Sequence, residues 1–185
     1  FNSGRRLAFR NKYKNKYIHK FPAATGIDIL GDKLIIIFIA GKKIPTHFEN
    51  EKQIPSYKYP IKYGKISPSF ARATKIENIF YFISGTASVQ GHQSMNANNI
   101  AQQFKLTNKN LRIMLKKSKI NGKKNKFNSA VVYIRDKKDF KLISRLFKRI
   151  YPRLKTNYLL ANICRSELDI EIEMSFYQKE GRSIK

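Results

Sequence analysis

The stretch "LDIEIEMSF" (residues 168–176) alternates apolar and polar side chains without interruption. Its apolar positions are Leu168, Ile170, Ile172 and Met174, and its acidic positions are Asp169, Glu171 and Glu173. An alternation with a period of two predicts a β-strand that packs one face on a core. The acidic face must then meet water, a partner subunit or a ligand, so a site is expected there.

The sequence predicts several more extended segments upstream of this strand. A hairpin is predicted over residues 27–40, where "IDIL" and "KLIIIFIA" flank a Gly-Asp turn at 31–32. Further strands are predicted for "NIFYFIS" (78–84), "SAVVYIRD" (129–136) and "NYLLANI" (157–163). Residues 41–70 contain four prolines and little periodicity, which indicates a long ordered loop.

Two helices are predicted between these strands. The first begins at Asn99, which with Gln102 resembles a capping arrangement. Its apolar face consists of Ile100, Phe104, Leu111 and Met114. The second follows Asp136 and ends before Pro152, and its apolar stripe consists of Phe140, Ile143, Phe147 and Ile150. This order of elements predicts an α+β fold, a mixed β-sheet with helices packed on one face.

The composition limits the class of protein. With 185 residues, 42% of them hydrophobic, the chain can bury a core, and no apolar run reaches the roughly 18–20 residues of a membrane span. A single cysteine excludes an internal disulfide and fits a reducing compartment, so a cytoplasmic protein is expected. Three scattered histidines and that cysteine lack metal-ligand spacing, so no metal is expected.

The formal net charge of +26 has two interpretations. Lysines attract phosphate, and residues 5–20 form a basic stretch with interleaved aromatic residues that could bind RNA. Lysine, asparagine and isoleucine are all used heavily, however, as the codon bias of an AT-rich genome would produce. Lysine also outnumbers arginine, which is better suited to bidentate phosphate contacts. We therefore do not expect nucleic acid as a partner.

Two segments could form a pocket together. The small residues of "SGTAS" (84–88) follow a predicted strand as a tight turn, where backbone N–H groups and the Thr86 hydroxyl could hold an anion. The segment "CRSELDIEIE" (164–173) places Cys164 and Arg165 ahead of the acidic strand. A carboxyl buried near apolar walls has a raised pKa and can act as a general acid. Each feature alone also has an ordinary explanation, such as a solvated strand face.

Longer motifs resemble a known family. The segments "FNSGRRLAF", "PAATGI", "FENEKQIPSYKYPIKYGKISPSFARA", "FISGTASVQGH" and "ICRSELDIEIE" occur in this order and together resemble the second half or more of the chorismatases. From about Phe70 onward the chain also resembles the wider reactive-intermediate deaminase (YjgF-like) superfamily, in "QQFKLTNKNL" and the closing "EIE". The resemblance spans nearly the whole chain.

The resemblance implies a function and a division into domains. Members of the family cleave chorismate and release its enolpyruvyl group as pyruvate, with the active site in the second of two deaminase-like domains. By this resemblance, residues 1–64 are the end of a truncated first domain with a connecting loop, and residues 65–185 are the catalytic domain. The chain begins with Phe1, so we expect a piece of a longer protein that contacts its missing domain or forms a homo-oligomer.

The resemblance also implies roles for individual residues. Glu171 matches the catalytic glutamate of the family, which would protonate the methylene carbon of the enol ether without a metal or an organic cofactor. Gly85 and Cys164 match the branch that forms 3-hydroxybenzoate, with Gly85 leaving room for the substrate ring. Another branch adds water and gives a dihydroxycyclohexadiene carboxylate.

The positions expected to bind the substrate are Tyr59, Tyr63, Arg72, Gly85, Thr86 and Arg165. The chain departs from the family at Ile66, where an arginine is usual. If that arginine binds a substrate carboxylate, then Arg72, Lys65 or Tyr59 would have to replace it.

Two other functions stay open at this point. An imine or enamine deaminase of the wider superfamily would use Arg165 to hold a carboxylate and an ordered water as the nucleophile. A basic RNA-binding module is supported by charge alone. The tyrosine-rich loop at 55–72 favours the chorismate-cleaving enzyme, because single-domain deaminases do not resemble it there.

Overall fold

The computed structural model describes residues 1–28, 31–119 and 127–177. The helices are α1 (Asn2–Tyr13), α2 (Ile100–Ser118) and α3 (Phe140–Ile150). The strands are β1 (Ile27–Asp28), β2 (Pro45–Phe48), β3 (Ala73–Ile76), β4 (Phe80–Ala87), β5 (Val89–Gln90), β6 (Gln93–Ser94), β7 (Phe127–Ile134), β8 (Lys155–Leu160), β9 (Asn162–Ile163) and β10 (Ile170–Tyr177). Short 3₁₀ turns cover Lys14–Lys20, Ser56–Lys58, Ile61–Tyr63 and Lys137–Asp139.

A six-stranded mixed sheet with the order β2-β3-β4-β10-β7-β8 organises the fold. Strand β10 pairs antiparallel with both β4 and β7, and the β7–β8 pair is parallel. The side chains of β10 alternate as predicted, since Ile170, Ile172 and Met174 are buried while Glu171 and Glu173 on the other face are only partly buried. The predicted α+β class with a mixed sheet is confirmed.

Helices α2 and α3 cover the apolar face of this sheet. The predicted cap of α2 is present, because the Asn99 side chain accepts a hydrogen bond from the backbone N–H of Gln102. The core joins buried residues of both helices to the sheet: Phe104, Leu111, Met114, Ile143 and Phe147. The ends of the predicted stripe on α3, Phe140 and Ile150, are each 43% exposed. None of the helices in the described residues is long and apolar enough to cross a membrane.

The hairpin predicted over residues 27–40 is wrong. Ile27 and Asp28 do form a strand, but it pairs with β9 at the register Ile27↔Ile163. Residues 33–40 have no regular secondary structure, and the apolar side chains from Leu34 to Ile39 are exposed. Positions 29 and 30 lie outside the described residues. High β-propensity is not enough, because a strand also needs a neighbour with free backbone groups.

The tight turn predicted at 84–88 is also wrong, because β4 continues through Ala87. Its pairing with β10 is interrupted, however, between Ile172, which faces Thr86, and Met174, which faces Ile83. Ser84 and Gly85 therefore lie opposite a single residue of β10, which is a β-bulge. Bulges bend a strand and redirect its side chains, and they are frequent beside functional sites.

The predicted domain boundary after residue 64 stays a prediction. Within the described sheet, β2 lies before that boundary and pairs antiparallel with β3, which lies after it.

Gln103 connects α2 to the segment that leads into β10. Its fully buried amide donates to the carbonyl of Glu167 and to Asp169 Oδ2, and its Oε1 accepts from the Asp169 N–H at 2.8 Å. We expect Gln103→Leu to lower the free energy of unfolding by about 1–3 kcal/mol, because buried partners lose their hydrogen bonds.

The matched control is Gln102→Leu, whose side chain is exposed, and we expect its effect to stay within about 0.5 kcal/mol. Urea denaturation followed by circular dichroism measures both changes. Equal midpoints for the two variants would contradict the proposed role of Gln103.

Candidate active site

A cavity of about 760 Å³ opens on the face of the sheet that α2 and α3 leave uncovered. The sheet contributes Gly85, Ala87 and Glu171 to its walls. Other walls come from residues 24–26, from the loop 53–72, from residues 163–168 and from the start of α1. Segments far apart in the sequence therefore meet around one carboxyl group, that of Glu171.

Gly85 makes room for the Glu171 side chain. A Cβ atom at position 85 would collide with the carboxyl of Glu171 and with the methyl group of Thr25. The expectation that Gly85 leaves space for a substrate ring is therefore corrected, because the space above this glycine is filled by the glutamate itself. The β-bulge and the missing side chain together allow the carboxyl to lie against the strand backbone.

The environment of Glu171 favours its neutral form. Burial raises its pKa from the ordinary 4.5 to about 8, and the nearby carboxylate of Glu173 adds to the rise. Arg72 and Arg165 act in the opposite direction without cancelling it. A carboxyl that keeps its proton at neutral pH is able to donate it.

Arg165 is held by the loop 53–72 and by the β5–β6 hairpin. Its Nη1 donates to the carbonyl of His92 at 2.7 Å and to Ser94 Oγ at 3.2 Å. Its guanidinium lies 4.0 Å from the centroid of the Tyr63 ring, and the hydroxyl of Tyr63 is 3.3 Å from His92 Nδ1. Stacking and hydrogen bonds on one side fix the orientation of the charge beside the cavity.

Arg72 is the second fixed cation of the cavity wall. Its Nη2 donates to the Tyr59 hydroxyl at 2.6 Å and to the carbonyl of Ile54 at 3.1 Å. On the side of its Nε lies Glu49, with 3.9 Å between Nε and Oε2. Burial raises the pKa of Glu49 to about 7, although Arg72 and Lys117 oppose the shift.

Residues 22–26 close the cavity next to the bulge. Thr25 Oγ1 accepts a hydrogen bond from the Gly85 N–H at 2.9 Å, and the Ala24 N–H donates to Ser84 Oγ at 3.0 Å. The Cys164 thiol donates to the carbonyl of Gly26 at 2.8 Å. Burial, followed by the charge of Glu171, raises the pKa of this thiol, so it is a neutral donor rather than a thiolate.

The structure brings most of the expected site residues together around the cavity: Tyr59, Tyr63, Arg72, Gly85, Cys164, Arg165 and Glu171. Thr86 is the exception and is corrected. It faces Ile172 across the sheet and is buried, and its hydroxyl donates to the carbonyl of Ser84. After the bulge its side chain points to the opposite side of the sheet from Glu171, so it does not line the cavity.

The residues proposed to compensate for Ile66 are only partly in place. Arg72 and Tyr59 line the cavity, whereas Lys65 and Ile66 itself are absent from its lining.

Sequence reasoning missed two parts of the cavity. Thr25 and Gly26 belong to "PAATGI", which contributed to the resemblance without an assigned role. Arg5 belongs to the basic stretch whose charge directed attention to RNA instead. Among the described residues, no group of three or more His, Cys, Asp or Glu side chains could hold a metal ion.

Comparisons with known proteins find chorismatases among the similar sequences and structures. No protein-family model matches the chain. A 3-hydroxybenzoate synthase of Streptomyces hygroscopicus is 30% identical to it over 170 residues, and a chorismatase of Streptomyces rapamycinicus is 28% identical over 166 residues. The chain is a homologue of the chorismatases. The alignments cover 83% and 82% of the chain but 50% of each relative, so it spans about half the length of these chorismatase relatives.

Solved structures share the fold of this chain. A chorismatase crystal structure superposes with a TM-score of 0.74 at 24% identity, over 95% of this chain and 56% of that one. Yeast Mmf1 superposes with a TM-score of 0.57 at 16% identity, over 74% of this chain and 100% of its own. The YjgF gene product of E. coli superposes with a TM-score of 0.54 at 13% identity, over 72% of this chain and 99% of its own. The chain therefore has the YjgF-like fold of the chorismatases.

Glu173 offers a test of the electrostatics around Glu171. Since its negative charge helps to raise the pKa of Glu171, we expect Glu173→Gln to lower that pKa from about 8. The carboxyl resonance of Glu171 in an NMR titration measures the change. Glu51→Gln, which removes an exposed carboxylate paired with Lys117, is the control and should leave the titration in place. An unshifted titration in Glu173→Gln would contradict the contribution of Glu173 to the raised pKa of Glu171.

Proposed function

We propose that this chain cleaves chorismate and releases pyruvate, with Glu171 as the general acid. One observation carries the proposal: a carboxyl whose pKa is raised to about 8 faces a cavity whose walls include Arg72 and Arg165. Such a site suits an anionic substrate that must receive a proton. The 3-hydroxybenzoate synthase and the chorismatases among the relatives support the choice of substrate, as activities of those proteins.

The proposed reaction begins with proton transfer to carbon. The neutral carboxyl of Glu171 protonates the terminal CH₂ of the enolpyruvyl ether, which becomes a methyl group. Positive charge then develops at the ether carbon, beside the glutamate that has just become negative. Charge stabilisation by a group already in position requires no rearrangement of solvent, which is why a fixed carboxylate lowers the barrier.

The bond between ring carbon C3 and the ether oxygen then breaks, and this oxygen leaves as the keto oxygen of pyruvate. The hydroxyl oxygen on the neighbouring carbon, C4, attacks C3 and returns its proton to Glu171, which leaves a 3,4-epoxide on the ring. The epoxide opens at C4, its oxygen stays on C3, and the ring becomes aromatic when C4 loses its proton while the phenol oxygen gains one. Together, 3-hydroxybenzoate and pyruvate contain all the atoms of chorismate, so this route consumes no water overall. The alternative dihydroxycyclohexadiene product would consume one water molecule.

We favour 3-hydroxybenzoate as the product because of Gly85 and Cys164. Gly85 permits the position of Glu171, and the neutral thiol of Cys164 belongs to the same cavity wall. The thiol also fixes the segment at Gly26 through its hydrogen bond. We assign Tyr59, Tyr63 and both arginines to substrate binding, and we propose no cofactor.

The wider context of the chain is also a proposal. We propose that residues 1–64 are the end of a truncated first domain with its connecting loop, and that residues 65–185 form the catalytic domain, in a cytoplasmic protein. Contact with a further domain or with a second copy would then cover the exposed apolar side chains of residues 34–39.

Replacement of the acid tests the mechanism directly. We expect Glu171→Gln to lower kcat by about 10²–10⁴-fold, the usual contribution of a general acid. Pyruvate release, coupled to lactate dehydrogenase, measures the rate. The control is Glu167→Gln, which removes a cavity carboxylate whose pKa is lowered, chiefly by a backbone hydrogen bond. Near-normal turnover by Glu171→Gln would remove this glutamate from its role.

The proposed acid predicts the direction in which kcat/KM changes with pH. Glu171 donates a proton only while it is protonated, so kcat/KM should be high below its pKa of about 8 and should fall as the pH rises through that value. The profile is measured from pH 6 to about 9.5, with protein stability followed in the same buffers. A rate that continues to rise across pH 8 would contradict the assignment.

The product branch depends on the thiol. We expect Cys164→Ala to release pyruvate while shifting the ring product from 3-hydroxybenzoate toward the dihydroxycyclohexadiene carboxylate. Chromatography of the ring products measures the ratio, and Cys164→Ser, which keeps a hydrogen-bond donor, should shift it less. An unchanged ratio in the alanine variant would exclude Cys164 from product choice.

A further inference from the structure

The cavity wall contains a third arginine, Arg5, which lies in the motif "FNSGRRLAF" but to which neither the resemblance nor the mechanism assigns a role. Arg5 lies on α1, is half-buried and lines the cavity together with Phe1 and Asn2. Among the described residues, none of the ion pairs includes it. Its described side-chain contact is with the ring of Phe1, 6.0 Å from the guanidinium carbon to the ring centroid.

Arg5 differs from Arg72 and Arg165 in the partners of its guanidinium. The guanidinium of Arg72 is bonded to Tyr59 and lies near Glu49, and that of Arg165 is bonded to His92. Burial without a compensating carboxylate lowers the pKa of Arg5. A partly buried cation that lacks an anion is unfavourable, and an anionic group in the cavity would relieve that cost.

The helix that carries Arg5 is held in place by contacts outside the cavity. Arg6 Nη2 donates to the carbonyl of Ser67 at 3.1 Å, and the ring of Phe9 lies 5.2 Å from that of Phe21. Phe21 is 1% exposed and so anchors this contact in the protein interior. Arg5 is therefore presented to the cavity by a fixed element, as a binding residue requires.

We propose that Arg5 binds one of the two carboxylates of the substrate while Arg165 binds the other, so that the site selects a dicarboxylate. This inference rests on the proposed function, because chorismate carries one carboxylate on its ring and one on its enolpyruvyl group. Each product, pyruvate and 3-hydroxybenzoate, keeps only one carboxylate. The arrangement therefore holds the substrate at two points and each product at one, which favours product release.

The kinetic test compares two arginines of the same helix. Arg5→Gln should raise KM for chorismate by about 10- to 100-fold, the usual effect of losing a charge-assisted hydrogen bond, and should leave kcat within about threefold. Arg10→Gln removes the same charge from an exposed position and should change neither value. Arg5→Lys should recover part of the loss, because it keeps the charge but not the planar pair of donors.

Binding measurements separate this inference from the proposed function. Calorimetry with chorismate and with 3-hydroxybenzoate, on chains that carry Glu171→Gln to prevent turnover, gives the preference for the dicarboxylate over the monocarboxylate. Arg5→Gln should reduce that preference by about 10-fold or more, and Arg10→Gln should not. Circular dichroism and thermal unfolding confirm that each variant folds.

The outcomes are distinct. If no chain releases pyruvate but Arg5→Gln still weakens chorismate binding selectively, the proposed function fails and the inference holds. If Arg5→Gln and Arg10→Gln behave alike, or if the unaltered chain does not bind chorismate, the inference is overturned.

Discussion

The site depends on one close approach, between the carboxyl of Glu171 and the backbone of Gly85. The β-bulge in β4 redirects the strand, and the missing side chain lets the carboxyl lie where any Cβ atom would collide with it. That position removes the carboxyl from water and raises its pKa to about 8. Gly85 on β4 thus allows Glu171 on the neighbouring strand β10 to be buried, and burial makes this glutamate a proton donor. The same constraint explains why Thr25, which caps the Gly85 N–H, belongs to the site.

The electrostatics of the cavity follow from this neutral carboxyl. If Glu171 were ionised, it would compete with an anionic substrate for Arg72 and Arg165. Since it is neutral, the positive charge of both side chains remains available to the ligand. The arginines are oriented by Tyr59, Tyr63 and nearby backbone carbonyls, so their charge does not have to be reorganised when a substrate binds. Helices α2 and α3 bury one face of the sheet, and the cavity with Glu171 lies on the other face.

Much of the fold could be predicted from local patterns. The alternation in residues 168–176 identified β10 and its two faces, and Asn99 identified the start of α2. The strand predicted over residues 33–40 is wrong because strand propensity in these apolar residues does not specify a neighbouring strand for them to pair with. The prediction that Thr86 binds the substrate is wrong because a bulge decides which face of the sheet its side chain occupies, and the bulge depends on the pairing of β4 with β10. The errors therefore fall where pairing between distant segments overrides local preference.

The sequence by itself determined the helices α2 and α3, the strand β10 with its acidic face and, through long motifs, the resemblance to chorismatases. Periodicity and capping act over a few residues, so the order of amino acids is sufficient to specify them. Only the tertiary structure decided that Arg5 and Thr25 line the same cavity as Glu171, and that Gly85 makes space for the carboxyl of that glutamate. Such proximity arises from the packing of segments more than 80 residues apart, and its effect on a pKa depends on the resulting burial.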